Sequence, residues 1–329
     1  MIKIGLIGLG SMGGTHAAAY EQLKGKFDFK ITAIADMDKT KLDKVAAQTG
    51  AAAYSTANEL FEKADINMAD ICLPTYMHYE YANRGIQSGL HVFVEKPLCL
   101  NSADAYKLAE TAEKSSVCSQ VGQCIRFWDE YEYLKKIYSS GEFGDLHHAK
   151  FRRLSPRPSW GINNWFFDAE LSGGAILDLH IHDADFLLYL FGEPKKMHAF
   201  KNISGLKYSS IITNCEYDNF NVMLEGSWDY PSSYPFEMSY QAVFEKAGIM
   251  YSSLHGIRVY PDGGESYIPE IEKACAAPSN AGANITSLGA YYNELYYFLE
   301  CISTDRKPVK ASFRDGAKSV EFTEKEKAG

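Results

Sequence analysis

No apolar run in this sequence approaches the roughly twenty residues that a membrane-spanning helix needs, so no such helix is expected. The chain opens Met1-Ile2-Lys3-Ile4 and lacks the apolar segment and small-residue cleavage site of a secretory signal. Its formal net charge of -9 is spread without long acidic runs, which argues against a surface that tracks nucleic-acid phosphates and favours small ligands. The seven cysteines lack paired metal-ligand spacing, and Cys118 and Cys124 stand too far apart for a CxxC site. Reduced, mostly buried thiols in a cytoplasmic protein are expected, with no metal centre. Neither an internal repeat nor a low-complexity segment occurs.

What is present is a chain of 329 residues with 46% hydrophobic content, enough to bury two cores. Residues 1–122 alternate short apolar runs (Lys3–Ile7, Phe29–Ala35, Ala69–Leu73, His91–Val94, Val117–Val121) with amphipathic stretches. That alternation predicts an α/β Rossmann domain, a doubly wound parallel sheet. Residues 123–329 read differently. A helix over Asp129–Ser140 and a strand near His147–Arg153 precede longer strand-like runs from Lys196 onward, including Ser210–Tyr217, Asn219–Trp228 and Phe236–Phe244. Consecutive strands without intervening helices predict an α+β domain with a large, mainly antiparallel open sheet, assigned to substrate binding and oligomerisation. Helices near Leu288–Ser303 and Phe313–Glu326 close the chain and are free to pack back on the first domain.

Gly8-Leu9-Gly10-Ser11-Met12-Gly13 matches GxGxxG between the first strand and its helix, where glycines permit a tight turn and close approach of a pyrophosphate. Asp36 ends the second strand, where a carboxylate can accept hydrogen bonds from adenosine ribose hydroxyls and would repel a 2′-phosphate. No arginine follows it directly, so NAD is expected over NADP. Pro74, Thr75 and His78 lie at the C-terminal end of a predicted strand, the edge where open α/β sheets bind ligands. The structural alternatives are a nucleotide-free tight turn for the glycines, a helix cap for Asp36 and a solvent-touching helix start for His78.

Asp178 and His182 stand four residues apart on a predicted helix that follows Ser172-Gly173-Gly174. At that spacing they share a face, and a carboxylate beside an imidazole can fix its tautomer and raise its basicity for proton removal. His180 is offset from that face, which disfavours a His-x-His metal site. Asp185 reads as structural. Arg152, Arg153, Arg157, Trp160, Asn163, Asn164 and Trp165 read as a loop before that helix, with Asn164 and Trp165 as candidate substrate contacts.

These motifs, together with Glu95-Lys96-Pro97 and Arg126-Phe127, resemble the Gfo/Idh/MocA family of oxidoreductases along nearly the whole chain. One departure is Cys124, where family members often carry an asparagine before the arginine-phenylalanine pair. The resemblance implies that Glu95 and Lys96 stand by the cofactor, with Lys96 beside the nicotinamide and the Lys96-Pro97 peptide cis. It further implies that His182 is the acid/base with Asp178 as its companion. The implied reaction moves a hydride between the nicotinamide and a secondary alcohol or ketone of a sugar, inositol or related polyol, with Lys96, Asp178 and His182 handling the proton and contacting the substrate. A homodimer or homotetramer is implied as well. The alternatives are a catalytically silent nucleotide-sensing regulator on the same fold, and an oxidoreductase that holds and recycles its cofactor.

Overall fold

The computed structural model describes residues 1–329 apart from 159–160, 203–205, 276, 278–286 and 329. It divides into two compact units, Met1–Phe127 with Ala274–Lys318, and Trp128–Lys273 with Ser319–Gly329. The sequence predicts a break after residue 122. In the structure the first unit runs on to Phe127 and takes in a later part of the chain.

In the first unit β1 (Ile2–Ile7), α1 (Ser11–Leu23), β2 (Phe29–Ala35), α2 (Lys39–Thr49) and β3 (Ala52–Tyr54) form one half of the wind. The other half is α3 (Ala57–Lys63), β4 (Met68–Ile71), α4 (His78–Gln87), β5 (His91–Glu95), α5 (Ser102–Lys114) and β6 (Ser119–Gly122). The strands lie in the order β3-β2-β1-β4-β5-β6, and every pair is parallel. The order therefore reverses between β1 and β4, which opens a crevice at the carboxyl ends of those strands. Register aligns those ends, with Ile7 beside both Ala35 and Ile71. Local chemistry sets the helix ends: Asp38 caps α2 by accepting the Thr40 and Lys41 amides, and Gly50 ends it at φ 68°.

The second unit begins with α6 (Asp129–Ser140) and β7 (Leu146–Pro156), then the short α7 (Ala169–Ser172), a π-helical turn over Ile176–His180 and α8 (Ile181–Phe191). The strands β8 (Lys196–Lys201), β9 (Ser210–Glu216), β10 (Asn221–Tyr230), β11 (Glu237–Phe244), β12 (Ala247–Ser252) and β13 (Gly256–Pro261) follow. The sheet order is β13-β12-β11-β7-β10-β9-β8, antiparallel throughout except for the parallel β7–β10 pair.

The last helices are α9 (Gly289–Ser303) and α10 (Phe313–Ala328). Leu288, Tyr292, Leu295, Phe298 and Leu299 join Ile4, Leu6, Tyr20 and Phe93 in one apolar cluster, so α9 belongs to the first unit. None of the seven cysteines is in a disulfide, and all are buried except the partly accessible Cys72. Among the described residues no helix is long and apolar enough to cross a membrane.

Candidate functional site

Because the first sheet is parallel, the loops after β1, β2, β4 and β5 emerge at one edge, and they carry the residues singled out from the sequence. The chain turns at Gly8 with φ 87°, and a Cβ there would lie 2.5 Å from the Cys72 carbonyl oxygen. A Cβ at Gly13 would lie 1.9 Å from the Gly8 carbonyl oxygen, so α1 seats on the turn only with glycine at that position. Gly10 meets nothing within 4 Å of its Cβ position, and as N-cap it brings no side chain over the first turn of α1. That turn, Ser11 and Met12 included, holds no acidic residue. An uncapped helix N-terminus behind open space suits a phosphate.

Asp36 follows β2 and is partly accessible. Its Oδ2 accepts the Leu9 amide at 2.6 Å and its Oδ1 accepts the Asp38 amide at 2.8 Å. The helix cap at this point is Asp38, so Asp36 is not needed in that role. A carboxylate has further lone pairs, which leaves Asp36 able to accept ribose hydroxyls while tying the glycine loop to the second strand. The donor set thus fits the pyrophosphate and adenosine ribose of a dinucleotide.

After β4, Pro74 leads into a single 3-10 turn that begins at the buried Thr75. His78 opens α4 and does not touch solvent: its ring is buried, with Nδ1 2.7 Å from the Pro97 carbonyl oxygen and Nε2 2.7 Å from that of Leu73. Burial lowers its pKa and so favours the neutral ring, which has one N–H to offer the two carbonyls. The ring of His78 thus lies between the loop after β4 and the Lys96-Pro97 turn and donates to one of the two carbonyls at a time; the Lys96-Pro97 peptide bond is cis. Glu95 is buried, with Oε1 3.1 Å from His16 Nε2 and Oε2 accepting the Lys96 amide at 3.1 Å. The side chains of His16, Asp70 and Glu294, absent from the sequence reading, lie buried in this unit. The one available signal was Asp70, an acid inside the apolar strand β4.

In the second unit, every residue from Ser172 to Leu187 is buried except Asp178 and His182. Those two keep partial access from one helical segment. The segment is not a uniform α-helix, because the turn carrying Asp178 is π-helical, a feature often found at functional sites. Gly173 and Gly174 precede it with φ 72° and 71°. A Cβ at Gly173 would lie 2.5 Å from Leu177 Cβ, which accounts for glycine there.

The neighbours of Asp178 and His182 are committed elsewhere. His180 Nε2 donates to Glu326 Oε1 at 2.8 Å, and the same oxygen accepts the Thr213 hydroxyl at 2.6 Å. Asp183 receives a two-pronged contact from Arg153 at 3.0 Å, and Asp185 accepts the Ser319 hydroxyl at 2.6 Å. Arg152 and Arg153 lie in β7, in agreement with the strand expected near His147–Arg153 and not in the loop before this helix. Strand alternation turns Arg153 inward to Asp183, whereas Arg152 reaches Glu225 at 3.0 Å and Glu237 at 3.4 Å. Asn164 is exposed in the left-handed region at φ 55°, and Trp165 stacks on Phe166 with ring centroids 4.2 Å apart. Trp160 and the side chain of Asn163 lie outside the described residues.

Residues 2–123 match the family described as an oxidoreductase family with an NAD-binding Rossmann fold, and residues 131–250 match the GFO/IDH/MocA C-terminal domain. The chain belongs to the Gfo/Idh/MocA family. Myo-inositol 2-dehydrogenase of Thermotoga maritima is 33% identical over 193 residues, 58% of this chain and 55% of the relative. UDP-N-acetylglucosamine 3-dehydrogenase of Acidithiobacillus ferrooxidans is 30% identical over 202 residues, 60% of this chain and 57% of the relative. The chain thus spans about half the length of these curated relatives. Levoglucosan dehydrogenase, solved with NADH and levoglucosan, superposes with a TM-score of 0.81 over 98% of this chain and 95% of its own, at 19% identity. At that identity the likeness shows the Gfo/Idh/MocA fold alone. The position where family members often carry asparagine is the buried Cys124, and the adjacent Arg126 donates to the Lys310 carbonyl at 2.7 Å. Arg126 thereby ties the 3-10 turn Cys124–Phe127 to the segment before α10.

Proposed function

We propose that this protein is an NAD-dependent dehydrogenase or reductase acting on a secondary alcohol or ketone of a sugar, inositol or related polyol. The observation that carries the reading is the partial access of Asp178 and His182 from an otherwise buried helical segment. A histidine and carboxylate that retain access can exchange a proton with a ligand, and their neighbours His180, Asp183 and Asp185 are occupied in packing. The names of the inositol and sugar-nucleotide relatives support the substrate class.

The nicotinamide, when bound, supplies the hydride acceptor or donor. His182 takes the hydroxyl proton in the oxidative direction, and Asp178 orients it. Lys96 donates a hydrogen bond to the developing alkoxide. The glycine loop and the amino end of α1 receive the pyrophosphate. Asp36 receives the ribose hydroxyls and supports NAD over NADP, since its charge opposes a 2′-phosphate. Asn164 and Trp165 contribute to the substrate side, and Pro74, Thr75, His78 and Glu95 to the cofactor side. A homodimer or homotetramer is part of the same reading: the sheet of the second unit leaves Phe200, Ile212, Met250 and Tyr260 exposed.

The test is purified protein with NAD or NADP and a panel of sugars, inositols and polyols, followed by the absorbance of reduced nicotinamide. Turnover that falls by about a hundredfold or more in Lys96→Ala and His182→Ala is the expected result. Nucleotide binding without turnover across the panel would point to the regulator instead. Mass spectrometry of the protein as isolated distinguishes a retained, recycled cofactor, and light scattering that gives a monomeric mass would overturn the oligomer.

A further inference from the structure

The first unit holds a buried polar chain that leads to Lys96. His16, on α1, is wholly buried, and its Nδ1 lies 3.0 and 2.9 Å from the two carboxylate oxygens of Asp70 in β4. Tyr20 donates its hydroxyl to Asp70 Oδ2 at 2.8 Å, which pins that carboxylate. On the other side of the ring, Nε2 faces Glu95 Oε1 at 3.1 Å. Both contacts are hydrogen bonds only when both ring nitrogens carry protons, because ionised carboxylates accept and cannot donate. Glu95 then uses its second oxygen to accept the Lys96 amide at 3.1 Å. Gly122 on β6 leaves room for that carboxylate, since a Cβ there would lie 3.0 Å from Glu95 Oε1.

We infer that His16 is a positioning residue for Lys96, acting as an imidazolium that holds Glu95 in the orientation that fixes the Lys96 backbone. The inference rests on the reading that Lys96 handles the substrate oxygen. His78 Nδ1 lies 2.7 Å from the Pro97 carbonyl oxygen, so a second buried histidine borders the turn on the other side of Lys96.

The groups facing His16 agree with a held proton. Burial opposes its charge, but the Asp70 carboxylate overrides burial, and His16 titrates well above the ordinary histidine value. The Cys72 sulfur lies 3.3 Å from Nδ1, and burial pushes that thiol strongly upward, so it stays neutral. Glu294, on α9, is wholly buried with no hydrogen-bond partner for either oxygen. Burial, reinforced by the charge of Glu95, drives its carboxyl well above the usual range, and it stands by as a neutral acid.

The experiment compares wild type, His16→Leu, His16→Gln and Gly122→Ala in the full chain. Lys96 is read directly by carbon NMR of its dimethylated amine, assigned by the loss of the signal in Lys96→Arg. Nitrogen NMR reads the protonation of His16. The expected result is a doubly protonated His16 at neutral pH, and a Lys96 titration that shifts in His16→Leu and Gly122→Ala and returns toward wild type in His16→Gln. In the panel assay kcat falls by about 10- to 100-fold in His16→Leu, with KM for NAD within about threefold of wild type. If His16→Leu does not fold, Gly122→Ala displaces the same carboxylate and gives the same reading. An unshifted Lys96 titration with only a lowered Tm overturns the inference. So does one equivalent of a divalent metal in the isolated protein, because His16, Glu95 and Glu294 place ligand atoms within 4.8 Å of one another. If wild type turns over nothing in the panel, the Lys96 titration still decides the relay, and the failure lies with the catalytic reading.

Discussion

His180 and His182 lie two positions apart on one helical segment, yet the first is sealed against Glu326 and the second keeps partial access to solvent. In the first unit His16 repeats the sealed arrangement, with Asp70 and Glu95 on either side. All three are imidazoles. What differs is desolvation. A sealed imidazole paired with a carboxylate can hold its proton as a fixed internal charge, whereas an accessible imidazole can exchange its proton with a ligand. On the proposed reading the sealed His16 and His180 are fixed internal groups and His182 is the one that exchanges a proton with the ligand.

The largest expected effect comes from removing the accessible member. His182→Ala should lower kcat by about 100- to 10,000-fold while thermal unfolding shifts by no more than a few degrees. Comparable losses of kcat in His180→Leu, at equal folded fraction, would erase the distinction between the two positions.

Arg153→Leu probes the sealed side of the same helix from the strand that faces it. Arg153 and Asp183 are both buried, so removing the guanidinium strands a carboxylate in the core. A loss of about 3–5 kcal/mol in unfolding free energy is expected from urea titration. A loss below about 1 kcal/mol would mean that Asp183 finds water or another donor, and that the sealed side is less closed than its burial indicates.

Much of this was legible in the sequence. Alternation of apolar runs and amphipathic stretches led to the parallel sheet, and GxGxxG followed by Asp36 marked the expected nucleotide end, because those features are local. The strand β3 escaped notice, since Ala52-Ala53-Tyr54 is too short to carry a period. The π-turn was equally hidden, because over a single turn the spacing of apolar residues does not separate α from π. The His16 relay joins residues 54 and 79 positions apart, and no periodicity reports such a pairing. Only Asp70, a charge within an apolar strand, hinted that a buried partner must exist. The place of α9 was open for a similar reason: an apolar helix face states that it will be covered, not by which core.

Asp36 is a carboxylate of the accessible kind, and its substitution sharpens the comparison on the nucleotide side. Asp36→Ser should raise the ratio of kcat/KM for NADP over NAD by about tenfold, through loss of repulsion toward the 2′-phosphate. Affinity for NAD should fall as well, because the same side chain holds the Leu9 amide. Parallel initial-rate measurements with the two cofactors decide it. An unchanged ratio would place Asp36 in loop structure alone.

The smallest effect is the dependence of stability on pH, and it separates the sealed histidines from the open one. Burial lowers the pKa of His180, but the charge of Glu326 overrides it, and the folded value lies above the ordinary one. A raised folded value means that the folded chain binds the proton more tightly than the unfolded chain does. The stabilisation is complete below the unfolded value of about 6.5 and is lost as pH rises through the folded value. His16, raised by Asp70 against burial, contributes in the same direction. The urea midpoint should therefore fall between about pH 6 and pH 9, and His180→Gln should show a shallower fall because one of the two contributions is gone. If the gap between wild type and His180→Gln is the same at both ends of that range, His180 does not carry its proton in the folded protein. The sealed contact to Glu326 would then be a neutral hydrogen bond, and only His16 would remain as a fixed internal charge.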